Sequence, residues 1–147
     1  MKVLFVCSSN RSRSPLAAAY FRHCAAEAGL QDVEVDSAGL RAHPELQICD
    51  EVREVLAAEG LQPLRIGCSL LHPKQAKTSD IIICMTSDQK KEIVSKFFSA
   101  ARKTKTLMSV IDSSADVFDP HREGVERYAQ CLAMMKPALE ELARRLL

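Results

Sequence analysis

Apolar and polar positions alternate along the chain in two kinds of block. Short strand-like runs lie at KVLFVC (2–7), VEVDSAG (33–39), SDIIICMT (79–86) and KTLMSVI (105–111). The first and third are continuous in apolar residues, the pattern of a strand buried on both faces, as in a parallel sheet. Longer segments with helical spacing separate them. LAAAYFRHCAAEAG follows Ser14-Pro15, which reads as an N-cap and a first-turn proline, and it ends at Gly29. Between Leu46 and Glu59, the residues Ile48, Val52, Val55 and Leu56 fall on one helical face, and Gly60 is a stop. Asp88 is a candidate cap for DQKKEIVSKFF. The last block is the cleanest: Val125, Tyr128, Leu132, Met135, Leu139, Leu142 and Leu146 recur at steps of three and four and form one core-facing stripe. Pro137 falls inside it and predicts a kink or an interruption.

Strands alternating with helices imply right-handed crossovers and a parallel sheet covered on both faces. The expected fold is a single α/β domain over residues 1–147, three-layer α/β/α with a four-stranded parallel sheet. The longest irregular piece, IDSSADVFDPHR (111–122), joins the last strand to the last helix. In doubly wound folds such loops gather at the carboxyl ends of the strands, where ligands bind. That puts it on the same edge as CSSNRSRSP (7–15), the loop after the first strand.

Composition narrows the classes. The 147 residues are 47% hydrophobic and 27% charged with a net charge of +1, an ordinary globular balance with no call for nucleic acid or an anionic membrane as partner. Any strong positive potential must be local. No apolar run approaches the ~20 residues of a membrane span. The opening LFV is too short for a signal-peptide core, so a cytoplasmic protein is expected. The six cysteines (Cys7, Cys24, Cys49, Cys68, Cys84, Cys131) form no CxxC pair and sit mostly among aliphatic residues, which reads as reduced thiols. Neither they nor the four scattered histidines have metal-ligand spacing, so no metal and no cofactor are expected.

The chemistry concentrates in CSSNRSRSP. A strand delivers Cys7 to its carboxyl end. Short side chains let the following backbone curl with its N–H groups inward, and a helix N-terminus closes the ring. Such a nest fits a phosphate. Its field also favours a thiolate, which makes Cys7 a competent nucleophile. Arg13, six positions on, can clasp two phosphate oxygens with its planar fork.

C-x5-R-S is the signature of cysteine-dependent phosphatases. VCSSNRSRSP resembles, more narrowly, the loop C-x-G-N-x-C-R-S-P of the low-molecular-weight protein-tyrosine phosphatase family. The resemblance runs the length of the chain: DSAG (36–39), SDIIICMT and VFDP (117–120) match the family's S-A-G turn, third strand and late D-P motif. It implies that Cys7 attacks phosphorus and that Arg13 and the amides of Ser8, Ser9, Asn10, Arg11 and Ser12 hold the oxygens. It implies that Ser14 donates to the Cys7 sulfur, that Asn10 braces the loop, and that Asp119 is general acid and then base. On the residues alone, Asp112 and Asp116 compete with Asp119. The implied substrate is a phosphorylated protein or small aryl phosphate, and the implied state a monomer or weak homodimer.

Five positions depart from the family. Ser9 replaces a glycine, which predicts backbone strain if the site is left-handed. Ser12 replaces a second cysteine. Arg11 stands at the substrate cleft, and His121-Arg122 replace two aromatics after the D-P motif. MTSDQKKEI and DVFDPHREGVERY resemble the bacterial branch that includes protein arginine phosphatases, whose loop residue at the Arg11 position is typically threonine. Phosphoarginine is therefore an alternative to phosphotyrosine. Arsenate reduction would need a relay cysteine pair after the third strand, which Cys84 alone does not supply. A non-catalytic phosphoprotein-binding domain would not need Cys7, Arg13 and Asp119 together.

Overall fold

The computed structural model describes all residues from Met1 to Leu147. The four strands are β1 (Lys2–Cys7), β2 (Glu34–Gly39), β3 (Ile81–Cys84) and β4 (Thr104–Thr106), and the five α-helices are α1 (Arg13–Glu27), α2 (Asp50–Ala58), α3 (Pro73–Thr78), α4 (Ser87–Lys96) and α5 (Val125–Arg145). The sheet is wholly parallel in the order β2-β1-β3-β4. The predicted three-layer α/β/α fold is therefore the observed one.

β1 explains its own apolar run. Val3, Phe5 and Cys7 pack in the larger core, with Leu16 and Phe21 of α1, Val52 and Leu56 of α2, and Tyr128, Leu132, Met135 and Leu139 of α5. Leu4 and Val6 point the other way, into a smaller core with Ile82 and Cys84 of β3, Ala76 of α3 and Ile93 of α4. Both faces are dry, so neither tolerates a polar residue. The Phe5 and Phe21 rings meet at 5.4 Å between centroids, a tilted arrangement that favours aromatic pairs.

Several boundaries differ from expectation. α1 begins at Arg13 with Ser12 at its N-cap, so Ser14 and Pro15 lie inside the first turn. Proline is tolerated there because a first-turn amide has no intrahelical acceptor. The second helix covers only Asp50–Ala58; Ile48 is buried but lies before the helix, and its N–H donates to Ile66 O. α4 is capped by Thr86, not Asp88: Thr86 accepts from Gln89 N, and the Gln89 side chain accepts from Thr86 N, a capping box. β4 is three residues long and then turns into a 3-10 turn at Met108–Ile111, where a strand was expected. The short α3 and a 3-10 turn at Phe98–Lys103 were not expected at all. α5 runs unbroken through Pro137. Pro137 and Ala133, whose carbonyl loses its helical donor, are both on the solvent face.

The strand order reverses between β1 and β3, so the crevice beyond their carboxyl ends is where this topology binds ligands. The loop after β1 sits in that crevice.

Candidate active site

The loop from Ser8 to Ser12 is pinned from outside by its carbonyls and side chains. Cys7 O accepts from Leu40 N at 2.9 Å and Ser8 O from Arg41 N at 2.8 Å. Asn10 is the one loop residue with a left-handed backbone, at φ 59°, a conformation asparagine tolerates better than most residues. Its carboxamide is buried. It accepts from Ser69 N at 2.8 Å and donates to Ser14 Oγ at 2.8 Å and Ser37 Oγ at 3.0 Å. Ser9 is exposed and has no left-handed backbone, so the strain expected at that position is absent. Ser8 Oγ receives Gln89 Nε2 at 3.2 Å, and Gln89 Oε1 accepts in turn from Met85 N at 2.9 Å.

The backbone N–H groups from Ser8 to Arg13 donate to no acceptor within the protein. Successive unpaired amides at a helix N-terminus form a concave anion site. Arg13 is the last residue of this stretch. It is 6% exposed, its Nη1 donates to Val117 O at 3.0 Å, and its Nη2 lies 3.8 Å from Asp119 Oδ2. Its Nε is buried without an acceptor. Leaving such a donor unpaired costs roughly 1–3 kcal/mol, which an anion in the loop would offset.

Cys7 is 2% exposed, with Sγ 3.0 Å from Ser14 Oγ. The Asn10 amide nitrogen can only donate, so Ser14 Oγ accepts from it and keeps its own hydrogen for another partner. The Cys7 sulfur at 3.0 Å is better placed than Ala38 O at 3.4 Å. The hydroxyl hydrogen thus has two candidate acceptors, the Cys7 sulfur and Ala38 O.

The three competing aspartates separate by position. Asp116 Oδ1 accepts from Ser87 N and holds the start of α4. Asp112 is exposed in a left-handed turn. Asp119 faces Arg13, with its Oδ1 accepting from His121 N at 3.1 Å. Beside the loop lies a cleft of about 320 Å3, lined by Arg11, Cys49, Asp50, Glu51, His121, Arg122 and Tyr128 among others. Arg11 Nε donates to Gln47 O at 2.9 Å, which ties its guanidinium to the cleft wall. Ser12 Oγ pairs with Tyr128 OH at 2.9 Å. Cys84 is fully buried on the far face of the sheet, and burial pushes its thiol up to about 12.

Gln89, Ser37, Ser69, Cys49 and Tyr128 belong to this site and were not read from the sequence as members. TSDQ does carry the capping-box pattern that locates Gln89. Ser37 lies within the DSAG motif. The other three arrive from distant segments, and no local pattern marks them.

A doubly wound parallel domain with a cysteine at the end of β1 and an arginine-closed anion nest at the switch point defines the class of cysteine-dependent phosphatases. Residues 2–147 match the model of the family described as low molecular weight phosphotyrosine protein phosphatase, and the chain belongs to that family. It is 31% identical over 147 residues to a protein-arginine-phosphatase of Bacillus subtilis, covering 99% of this chain and 97% of that protein. It is 30% identical to YfkJ, a low molecular weight protein-tyrosine-phosphatase of the same organism, over 97% of this chain and 93% of the relative. A solved structure of the YwlE arginine phosphatase, a cysteine-to-serine variant with a phosphorylated active-site serine, superposes with a TM-score of 0.93 at 32% identity, covering 99% and 95% of the two chains. The chain is a hydrolase of phosphorylated substrates, and a cysteine mechanism is general to its family. No helix is long and apolar enough to cross a membrane.

Proposed function

We propose that this phosphatase hydrolyses phosphotyrosine on proteins, and small aryl phosphates, through a phosphocysteine on Cys7. The observation that carries the reading is the row of unpaired amides from Ser8 to Arg13 that follows Cys7. Cys7 Sγ attacks phosphorus in line with the leaving oxygen. The loop amides and the Arg13 guanidinium hold the three equatorial oxygens as charge develops on them. Asp119, protonated, delivers its proton to the departing phenolate. As a carboxylate it then takes a proton from the water that attacks the phosphocysteine. The thiolate departs from phosphorus stabilised by the Ser14 hydroxyl. The serine found phosphorylated in the cysteine-to-serine YwlE variant is consistent with a nucleophile at the corresponding place.

Arg11 supports an aromatic substrate. Its guanidinium, held against Gln47 O, can stack on a phenol ring and repels a cationic one. A second reading, phosphoarginine, is favoured by Asp50 and Glu51, which line the same cleft and can pair with a substrate guanidinium. The test is phosphate release from matched phosphotyrosyl and phosphoarginyl peptides, with Cys7→Ser as blank. Faster release from tyrosine is expected. Faster release from arginine would replace the first reading by the second, and turnover surviving in Cys7→Ser would remove both. A nucleophilic thiol together with five further free cysteines suits a reducing compartment, and we place the enzyme in the cytoplasm.

A further inference from the structure

Cys49 combines an imidazole partner with a place on the cleft beside the phosphate loop. It occupies the N-cap position of α2 and lines the cleft beside the phosphate loop. Its Sγ lies 3.6 Å from His121 Nδ1 and 3.6 Å from Ser12 Oγ, whose hydroxyl is shared with Tyr128 OH. A thiol beside an imidazole at a helix N-terminus is the arrangement that activates cysteine. The cleft is large enough for a small organic molecule. The sulfurs of the other four thiols have no histidine nitrogen within hydrogen-bond distance. Burial pushes Cys24 up to about 11 and Cys84 and Cys131 up to about 12, and it raises Cys68 as well.

We infer that Cys49 and His121 form a second reactive thiol site, which takes a mixed disulfide from a small-molecule disulfide and thereby closes the substrate cleft. His121 accepts the Cys49 proton. The Cys49 sulfur attacks one sulfur of the reagent, and the reagent S–S bond breaks as the new one forms. The departing thiolate takes the proton back from His121. The adduct projects into the cleft between Arg11 and Tyr128, which on the catalytic reading receives the substrate's leaving group. This regulatory consequence rests on the catalytic reading above; the modification itself does not.

The experiment uses the full chain and glutathione disulfide. In Cys7→Ser the expected product is a single adduct, mapped by peptide mass spectrometry to Cys49, and His121→Asn slows its formation about tenfold. An adduct on another cysteine with Cys49 unmodified, or no adduct, overturns the proposal. So does an internal disulfide formed without adduct in the wild type. In the wild type, with Cys7 shielded by saturating inorganic phosphate, activity falls in step with Cys49 occupancy and returns with dithiothreitol. Equal fractional loss in Cys49→Ala, relative to its own untreated activity, would also overturn it. If instead the catalytic reading fails, Cys7→Ser keeps its turnover while the mapping still reports on Cys49.

Discussion

Gly39 ends β2 against the backbone of the Ser8–Ser12 loop, and its replacement by alanine tests whether the loop's position is what catalysis depends on. Its φ lies outside the left-handed region, so the glycine serves space and not conformation. A Cβ built there would stand 2.7 Å from Asn10 N, 2.7 Å from Ser8 O and 2.8 Å from the Ser9 carbonyl carbon. All three are backbone atoms of the loop, so no side chain can swing aside. Ordinary contact starts at 3.4 Å, so the loop must retreat by about 0.7 Å. Cys7 O and Ser8 O are bonded to Leu40 N and Arg41 N, so the retreat also strains the junction. Overpacking of this kind costs roughly 1–3 kcal/mol, or about 2–12 °C in Tm for a chain of this size. Catalysis suffers more. A misplacement approaching 1 Å costs on the order of 10²-fold, because the amides then miss the equatorial oxygens. The assay is kcat/KM on p-nitrophenyl phosphate together with the Tm gained on adding phosphate. Gly67→Ala is the control, since nothing lies within 4 Å of its Cβ. A Gly39→Ala enzyme with kcat/KM within about twofold of wild type and full stabilisation by phosphate would refute the reasoning.

Asp119→Ala is expected to slow release of a poor leaving group such as phenol by about 10²-fold more than release of p-nitrophenol, since only the poor one needs the proton; equal losses would remove Asp119 as the acid. Asn10→Ala breaks three hydrogen bonds, two of them buried, and puts alanine at φ 59°, a loss of about 2–4 kcal/mol in urea unfolding. Asn10→Gly should recover the conformational part and not the activity, and identical stability of the two variants would contradict that division. Burial raises Cys84 and Cys131 from 9.0 to about 12 and Tyr20 from 10.0 to about 12. The unfolded chain therefore sheds protons that the native state retains, and stability falls as pH rises through the window from about 9 to 12. The urea midpoint should drop across that window, with a shallower slope in Cys131→Val; a flat wild-type profile would sink the assignment.

The strands, and the strand–loop–helix unit that carries Cys7 and Arg13, were legible because their signals are local. A run buried on both faces cannot be polar, so KVLFVC marks itself, and the Cys7 to Arg13 spacing is set by one loop closing on one helix. Ser-Pro misled: it placed the N-cap at Ser14, but the helix starts two residues earlier, after Ser12, and the Ser14 hydroxyl is held by the Cys7 sulfur and Asn10. α3 gave no apolar stripe because Ala76 is its one buried residue. KTLMSVI has strand composition throughout, yet pairing stops after Thr106 and the chain turns into the core through Met108 and Val110. Ser9 misled for a different reason. The loop does need one left-handed residue, and Asn10 meets that need next door.

The loop's side chains and its amides divide the labour. Ser8 is held by Gln89 of α4, Asn10 by Ser37 of β2 and by Ser69, and Ser12 by Tyr128 of α5. Each of these partners comes from a different part of the fold, and together they fix the loop from its outer side. Because side chains and carbonyls carry that scaffolding, the amides from Ser8 to Arg13 are left without protein acceptors. Their orientation is set before any anion arrives, so little reorganisation remains for the moment of phosphoryl transfer. The same division explains why serine is acceptable at position 12. There the hydroxyl, bonded to Tyr128, ties α1 to α5 at the mouth of the cleft. It also sets Cys49 within reach of His121, so one short side chain joins the phosphate site to the second thiol.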